Sequence, residues 1–99
     1  MGYYLLKEII EEHYSNELNK LTSDYFYDKL GMENLGYLPL DRVEKTRIIP
    51  TEQDYFYRSQ LINGYVHDQG AAMLGGVGGH AGVFSNANDL AKIMQMYLN

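Results

Sequence analysis

The chain has 99 residues, 45% hydrophobic and 21% charged, which is room for one small domain and argues against both a disordered chain and a pair of independent domains. Its net charge of −5 comes with Lys and Arg scattered singly, a pattern that argues against a phosphate-binding surface and hence against a nucleic acid partner. It contains no cysteine, which excludes disulfides and thiolate metal sites.

The start, Met1 to Glu8, turns charged too soon for the apolar core of a signal peptide. No apolar run approaches the ~20 residues of a membrane-spanning helix. The expectation is either a cytoplasmic protein or one whose export signal lay upstream.

In chain order, Leu5, Leu6, Ile9 and Ile10 recur at helical spacing opposite Lys7, Glu8, Glu11 and Glu12, which predicts an amphipathic helix over residues 3–14. Ser15 or Asn16 is placed to cap a second helix over 16–30. Its apolar positions are Leu18, Leu21, Tyr25, Phe26 and Leu30, and Gly31 supplies the stop. Residues 32–58 are less regular, broken by Gly36, Pro39 and Pro50. Thr46 to Ile49 reads as a short strand ending at Pro50, and Thr51 as the cap of a helical turn running from Asp54 to Arg58. Asn63-Gly64 is a turn signal between Gln60–Ile62 and Tyr65–His67, which predicts a hairpin. Asp68 to Leu74 reads as a short helix. Five glycines then fall within the eight residues from Gly75 to Gly82, too many for a regular element. Ser85 or Asn86 caps a last helix, Asp89 sits in its first turn, and Leu90, Ile93, Met94, Tyr97 and Leu98 form the stripe expected to be buried. The fold class is therefore mainly α with a small β-hairpin, in one domain over residues 1–99.

The glycine loop lacks the Lys-Ser or Lys-Thr that a phosphate loop places after its last glycine; Ala81-Gly82-Val83-Phe84 follows instead. Two readings stay open: a flexible surface loop, or a loop whose backbone passes close to a ligand, a strand edge or another loop. Val77, Val83 and Phe84 favour packing. His67-Asp68 and His80 combine imidazole and carboxylate, but the spacing matches no metal-ligand pattern and a third ligand is missing. Loop histidines held by hydrogen bonds are the commoner case. No metal or cofactor is expected.

A nucleophilic serine needs a base in reach, and in penicillin-recognising enzymes that is Ser-x-x-Lys, one helical turn apart. The residue three after Ser15, Ser23, Ser59 and Ser85 is Leu18, Phe26, Ile62 and Asn88 respectively. A Gly-x-Ser-x-Gly elbow is also absent from the sequence. Tyr14-Ser15-Asn16 has the form Tyr-x-Asn used beside the nucleophile in such hydrolases, but capping explains it better. The chain therefore carries no catalytic residue of its own.

Val66-His67-Asp68, Gly75-Gly76, Gly79-His80-Ala81-Gly82, Phe84-Ser85, Ala87 and Asp89-Leu90-Ala91 together form a long block. It resembles one found in serine β-lactamase-like hydrolases related to class C β-lactamases, D-alanyl-D-alanine peptidases and esterases. Gly2 to Ile10 resembles the helix after that family's Tyr-x-Asn motif. Tyr27 to Met32 resembles its Pro-Leu-Gly-Met helix end, with Lys29 in the proline's place. Ile48 to Glu52 resembles its Ile-Ala-Pro-Thr-Glu turn. At Gly70 the family usually has asparagine.

The resemblance implies the helical region of a β-lactamase/transpeptidase-like fold. In that register Ser-x-x-Lys and Tyr-x-Asn lie before this segment and Lys-Thr-Gly or His-Thr-Gly after it. The parent would act on β-lactams, D-Ala-D-Ala peptides or small esters through an acyl-enzyme, in the periplasm or cell envelope. His67, Asp68, Gly78, Gly79, His80 and Ala81 would line its substrate cleft, with His80 and Ala81 nearest the substrate and His67 and Asp68 bracing the loop. The implied partners are the remainder of the parent domain and a small-molecule substrate, with self-association through exposed apolar helix faces when the segment stands alone. The competing expectation is a free-standing, non-catalytic binding module that uses its tyrosines and glycine loop for recognition.

Overall fold

The computed structural model describes residues 2–98. The architecture is mainly helical with one small antiparallel hairpin. Helix α1 spans Gly2–Tyr14. It ends in a Schellman motif: Ser15 adopts φ 54°, Ser15 N–H donates to Glu12 O, and Asn16 N–H donates to Glu11 O. Ser15 thus closes the first helix rather than opening the second. The Asn16 side chain accepts only from Glu17 N–H. The carboxylate of Glu11, seven residues back, takes the first free N–H of the next helix, donated by Leu18 at 2.7 Å.

That helix, α2, spans Leu18–Thr22 and continues as a π-helical turn over Ser23–Tyr27. The expected single α-helix over 16–30 is therefore wider-wound in its second half. Gly31, at φ 71°, ends it with the same motif, Met32 N–H donating to Tyr27 O. Leu18 and Leu21 are buried, whereas Tyr25 and Phe26 stay about half exposed.

The next segment departs most from expectation. Lys45–Arg47 is a 3-10 turn where Thr46 to Ile49 was expected to be a strand. Strand β1 is Glu52–Asp54, where a helical turn was expected. It pairs antiparallel with β2, Gln60–Ile62, in the register Glu52↔Ile62, Gln53↔Leu61, Asp54↔Gln60. The residue capping the intervening loop is Asp54, which accepts from the backbone of Phe56, Tyr57 and Arg58 at 2.9, 3.0 and 3.2 Å. The hairpin predicted between 60–62 and 65–67 does not form. Arg58 explains why: its guanidinium donates to the carbonyls of Val66 and His67 at 2.7 and 3.0 Å, acceptors that a strand would have committed to a neighbour.

Helix α3 spans Gln69–Met73 and stops at Gly75 and Gly76, both at positive φ. Helix α4 spans Ala87–Leu98. Asn86 is its cap, accepting from Asp89 N–H at 2.9 Å, while Ser85 Oγ turns to Asn86 O. The segment after α2 and the segment before α4 meet at an isolated antiparallel pair, Gly36 with Phe84, sharing two 2.9 Å hydrogen bonds. Buried hydrophobics are Leu18, Leu21, Met32, Leu35, Ile62, Val66, Ala71 and Val77. Among the described residues no helix is long and apolar enough to cross a membrane.

Both long helices turn a different face inward from the one their hydrophobicity predicts. On α4 the inward stripe is Asp89, Lys92, Ile93 and Met96, whereas Leu90, Met94, Tyr97 and Leu98 are exposed. This is a rotation of about one residue from the expected seam. The cause is Asp89, 3% exposed, which accepts from Asn34 N–H at 2.7 Å. One turn on, Lys92 donates to Gly31 O at 2.8 Å. On α1, Tyr4, Lys7 and Glu11 are half-buried and Leu5, Leu6, Ile9 and Ile10 are exposed. Replacing Asp89 with Ala leaves Asn34 N–H without its charged acceptor, and urea denaturation should show a loss of about 2 kcal/mol, mostly recovered in Asp89→Asn.

Candidate functional site

The glycine loop is built on the N-terminus of α3. Asp68 is the N-cap of that helix: its Oδ2 accepts from Ala71 N–H at 2.8 Å. The same oxygen meets His80 Nε2 at 2.8 Å. The Ala71 N–H, followed by the His80 imidazole, holds the Asp68 carboxyl below its ordinary range. An ionised carboxylate only accepts, so the shared proton sits on His80 Nε2. This is a base–orienter geometry in which Nδ1 is left for another group.

The turn carrying His80 is closed by Gly78 N–H donating to Ala81 O at 3.2 Å. Gly78 is buried, Gly79 exposed and Ala81 half-buried. A Cβ at Gly79 would stand 3.2 Å from Tyr3 O, and one at Gly78 would stand 3.0 Å from the His80 ring. Tyr4 meets His80 edge-on at 5.1 Å between centroids, and Tyr3 lies at 6.4 Å. The Tyr4 hydroxyl also fills the space a Cβ at Gly70 would take. A larger residue at 70 would require the Tyr4 side chain to shift.

Asp68, Gly78, His80 and Ala81 therefore converge, with Gly79 on their solvent side. His67 joins a separate pair, its Nε2 3.3 Å from Glu52 Oε2, and its side chain is 73% exposed. Glu52 also meets Arg58 at 3.3 Å, and Arg58 meets Asp54 at 3.0 Å. Donors from the backbone of Tyr57 and Phe56, with Arg58, hold the Asp54 carboxyl far below its usual range. A pocket of about 440 Å³ lies between the two pairs, lined by Glu52, Asp54, Phe56, His67, Asp68 and Gly70.

Among the described residues no group of three His, Asp or Glu side chains converges as a metal site. No serine reaches either histidine there: Ser15 ends α1, Ser23 opens the π turn, Ser59 closes the hairpin loop at φ 50°, and Ser85 bonds Asn86 O. The arrangement can orient an imidazole and present backbone to a ligand, and it supplies no nucleophile.

Tyr37 escapes sequence reasoning altogether. Its hydroxyl donates to Gly78 O at 2.8 Å, and its ring would stand 3.2 Å from a Cβ at Gly82. Burial, followed by the nearby Tyr27, pushes this hydroxyl up to about 12. The link spans 41 residues of sequence, and nothing local marks it.

No protein-family model matches the chain, and no solved structure matches it. The chain is similar over its whole length to three curated proteins, among others. It is 34% identical over 111 aligned positions to the "N-acetylmuramyl-L-alanine amidase" of Bacillus subtilis, covering 25% of that protein. It is 35% identical to the "Putative D-alanyl-D-alanine carboxypeptidase" of Escherichia coli K12 and 32% to that of Salmonella newport, covering 26% of each. The chain spans about a quarter of the length of these relatives, one named as an amidase and the others as carboxypeptidases.

Because the Asp68 carboxyl is lowered on folding, its contribution is complete above its ordinary value near 3.8 and is lost as pH falls below that. An acid titration followed by circular dichroism should show stability declining below about pH 4. In Asp68→Asn, which can still accept from Ala71 but does not titrate, the decline should be shallower. An unchanged slope would show that the carboxylate is not under that load.

Proposed function

We propose that the chain is part of a cell-wall hydrolase that cleaves an amide bond at an alanine of the wall peptide, and that its Asp68–His80 loop lines the substrate cleft. The observation that carries this reading is the whole-length similarity to two proteins of different printed activity. Both names specify an amide at alanine: muramyl–L-alanine in one, D-alanyl–D-alanine in the other.

The finer reading is a serine mechanism of the β-lactamase type. A serine outside this segment attacks the carbonyl, the amine leaves, and water hydrolyses the resulting acyl-enzyme. The block from Val66 to Ala91 supports it by resemblance. The geometry is compatible, because His80 is already committed to Asp68 and Gly78–Ala81 forms a tight turn with little side-chain bulk. In this role His80 and Ala81 touch substrate, Gly78 and Gly79 let the backbone approach it, and Asp68 and His67 brace the wall. β-Lactams and small esters belong to the same carbonyl chemistry. The site of such an enzyme is the cell envelope.

The outward apolar faces of α1 and α4, and an apolar groove of about 380 Å³ lined by Ile10, Tyr14, Leu18, Leu21, Tyr25 and Phe26, are then covered by the rest of the domain. The free-standing module is not favoured, since each relative carries this stretch as a quarter of a longer protein.

The test uses the full-length polypeptide. It should release the stem peptide or the terminal D-alanine from peptidoglycan fragments, and a β-lactam or fluorophosphonate probe should label a serine outside residues 1–99. Labelling of Ser15, Ser23, Ser59 or Ser85 would contradict the assignment of the nucleophile, and hydrolysis of neither amide would contradict the function. The isolated segment should self-associate through its uncovered faces; sedimentation giving a monomer at high concentration would show that those faces need no cover.

A further inference from the structure

We infer that Tyr37 is the positioning residue of the cleft loop: its hydroxyl on Gly78 and its ring on Gly82 set the conformation in which the Gly78–Ala81 turn meets substrate. The inference rests on the proposed function for the word substrate; the anchoring itself does not.

Three consecutive residues hold the loop from beneath. Gly36 shares two backbone hydrogen bonds with Phe84. Tyr37 donates to Gly78 O at 2.8 Å. The Leu38 side chain would stand 3.4 Å from a Cβ at Gly76. The loop is therefore gripped at its entry, its turn and its exit.

The platform is itself fixed. Arg42 Nε donates to Tyr37 O at 3.3 Å, and its guanidinium lies against Gly36. Leu38 adopts φ 50°, ψ 63° directly before Pro39. That is a left-handed conformation for a branched residue before a proline, disfavoured on both counts. Such a conformation persists only where surrounding contacts hold it. The Leu38 side chain lies over Gly76.

The loop's exit needs glycine for the same reason. Gly82 has φ 120°, and a Cβ there would collide with Gly76 O and press on the Tyr37 ring. Gly82 is thus shaped to Tyr37. Since burial holds the hydroxyl protonated well above neutral pH, it remains a donor to Gly78 O across the neutral range. The turn therefore has one anchor on Tyr37 and a second on Asp68 through His80.

The test is Tyr37→Phe in the full-length protein, which keeps the ring on Gly82 and removes only the bond to Gly78. Amide exchange should accelerate about fivefold at residues 78–82, the effect of one neutral hydrogen bond, with α3 and α4 unchanged. For the amide that the enzyme hydrolyses, KM should rise by about the same factor with kcat held, because a wall that binds ground and transition states alike affects KM alone. A merely structural role would lower the active fraction, reducing apparent kcat at constant KM. Unchanged exchange at 78–82 overturns the inference even in an active enzyme. Local acceleration in a protein that hydrolyses neither amide supports the anchor and overturns the proposed function instead. Local acceleration with KM unmoved overturns the positioning role. Should the variant not fold, exchange in the unaltered protein decides: protection at 78–82 comparable to α3 supports the anchor, and exchange at the rate of an open loop overturns it.

Discussion

Two hydrogen bonds between Gly36 and Phe84 hold together what is otherwise two helical pieces joined by a long irregular segment. They bring the chain after α2 beside the chain before α4. From that one pair follow the docking of Asp89 onto Asn34, the contact of Lys92 with Gly31, and the seat of Tyr37 beneath Gly78. An isolated backbone pair is weak alone. Met32 and Leu35, shortly before Gly36 in sequence, and Val77, shortly before Phe84, are buried.

The glycine loop shows how composition can mislead. Five glycines in eight residues suggest mobility, yet Gly78, Gly79 and Gly82 serve close packing. Gly82 avoids the Gly76 carbonyl, Gly79 makes room for α1, and Gly78 for the His80 ring. The loop is pinned from three directions: by Asp68 from the helix it follows, by Tyr37 from below, and by the ring of Tyr4 from α1. A surface of that kind offers backbone and one oriented imidazole.

The two outer helices carry the second consistent theme. Each turns a polar or mixed stripe toward the described core and its apolar stripe outward. On α1 the inward residues are Tyr4, Lys7 and Glu11, with Lys7 and Glu11 paired at 3.6 Å. Both helices thus make contacts on one face and leave their apolar residues uncovered on the other.

The sequence by itself determined the first helix, expected over 3–14, the short helix expected over 68–74, the last helix capped by Ser85 or Asn86, the stop at Gly31 and the mainly helical class, because periodicity, caps and glycine stops act within a few residues. It also singled out His67, Asp68 and His80 as the imidazole and carboxylate groups beside the glycine loop. What only the tertiary structure decided depends on residues far apart. Arg58 took the carbonyls of Val66 and His67, so Gln60–Ile62 paired with Glu52–Asp54 instead of with 65–67. Asp89 rotated α4 off its hydrophobic seam by binding Asn34 across 55 residues. Asp68 chose His80 over its neighbour His67, which went to Glu52. In each case a polar group met a partner that local pattern does not specify. Leaving such a group unpaired in the interior costs more than moving an apolar side chain to the surface.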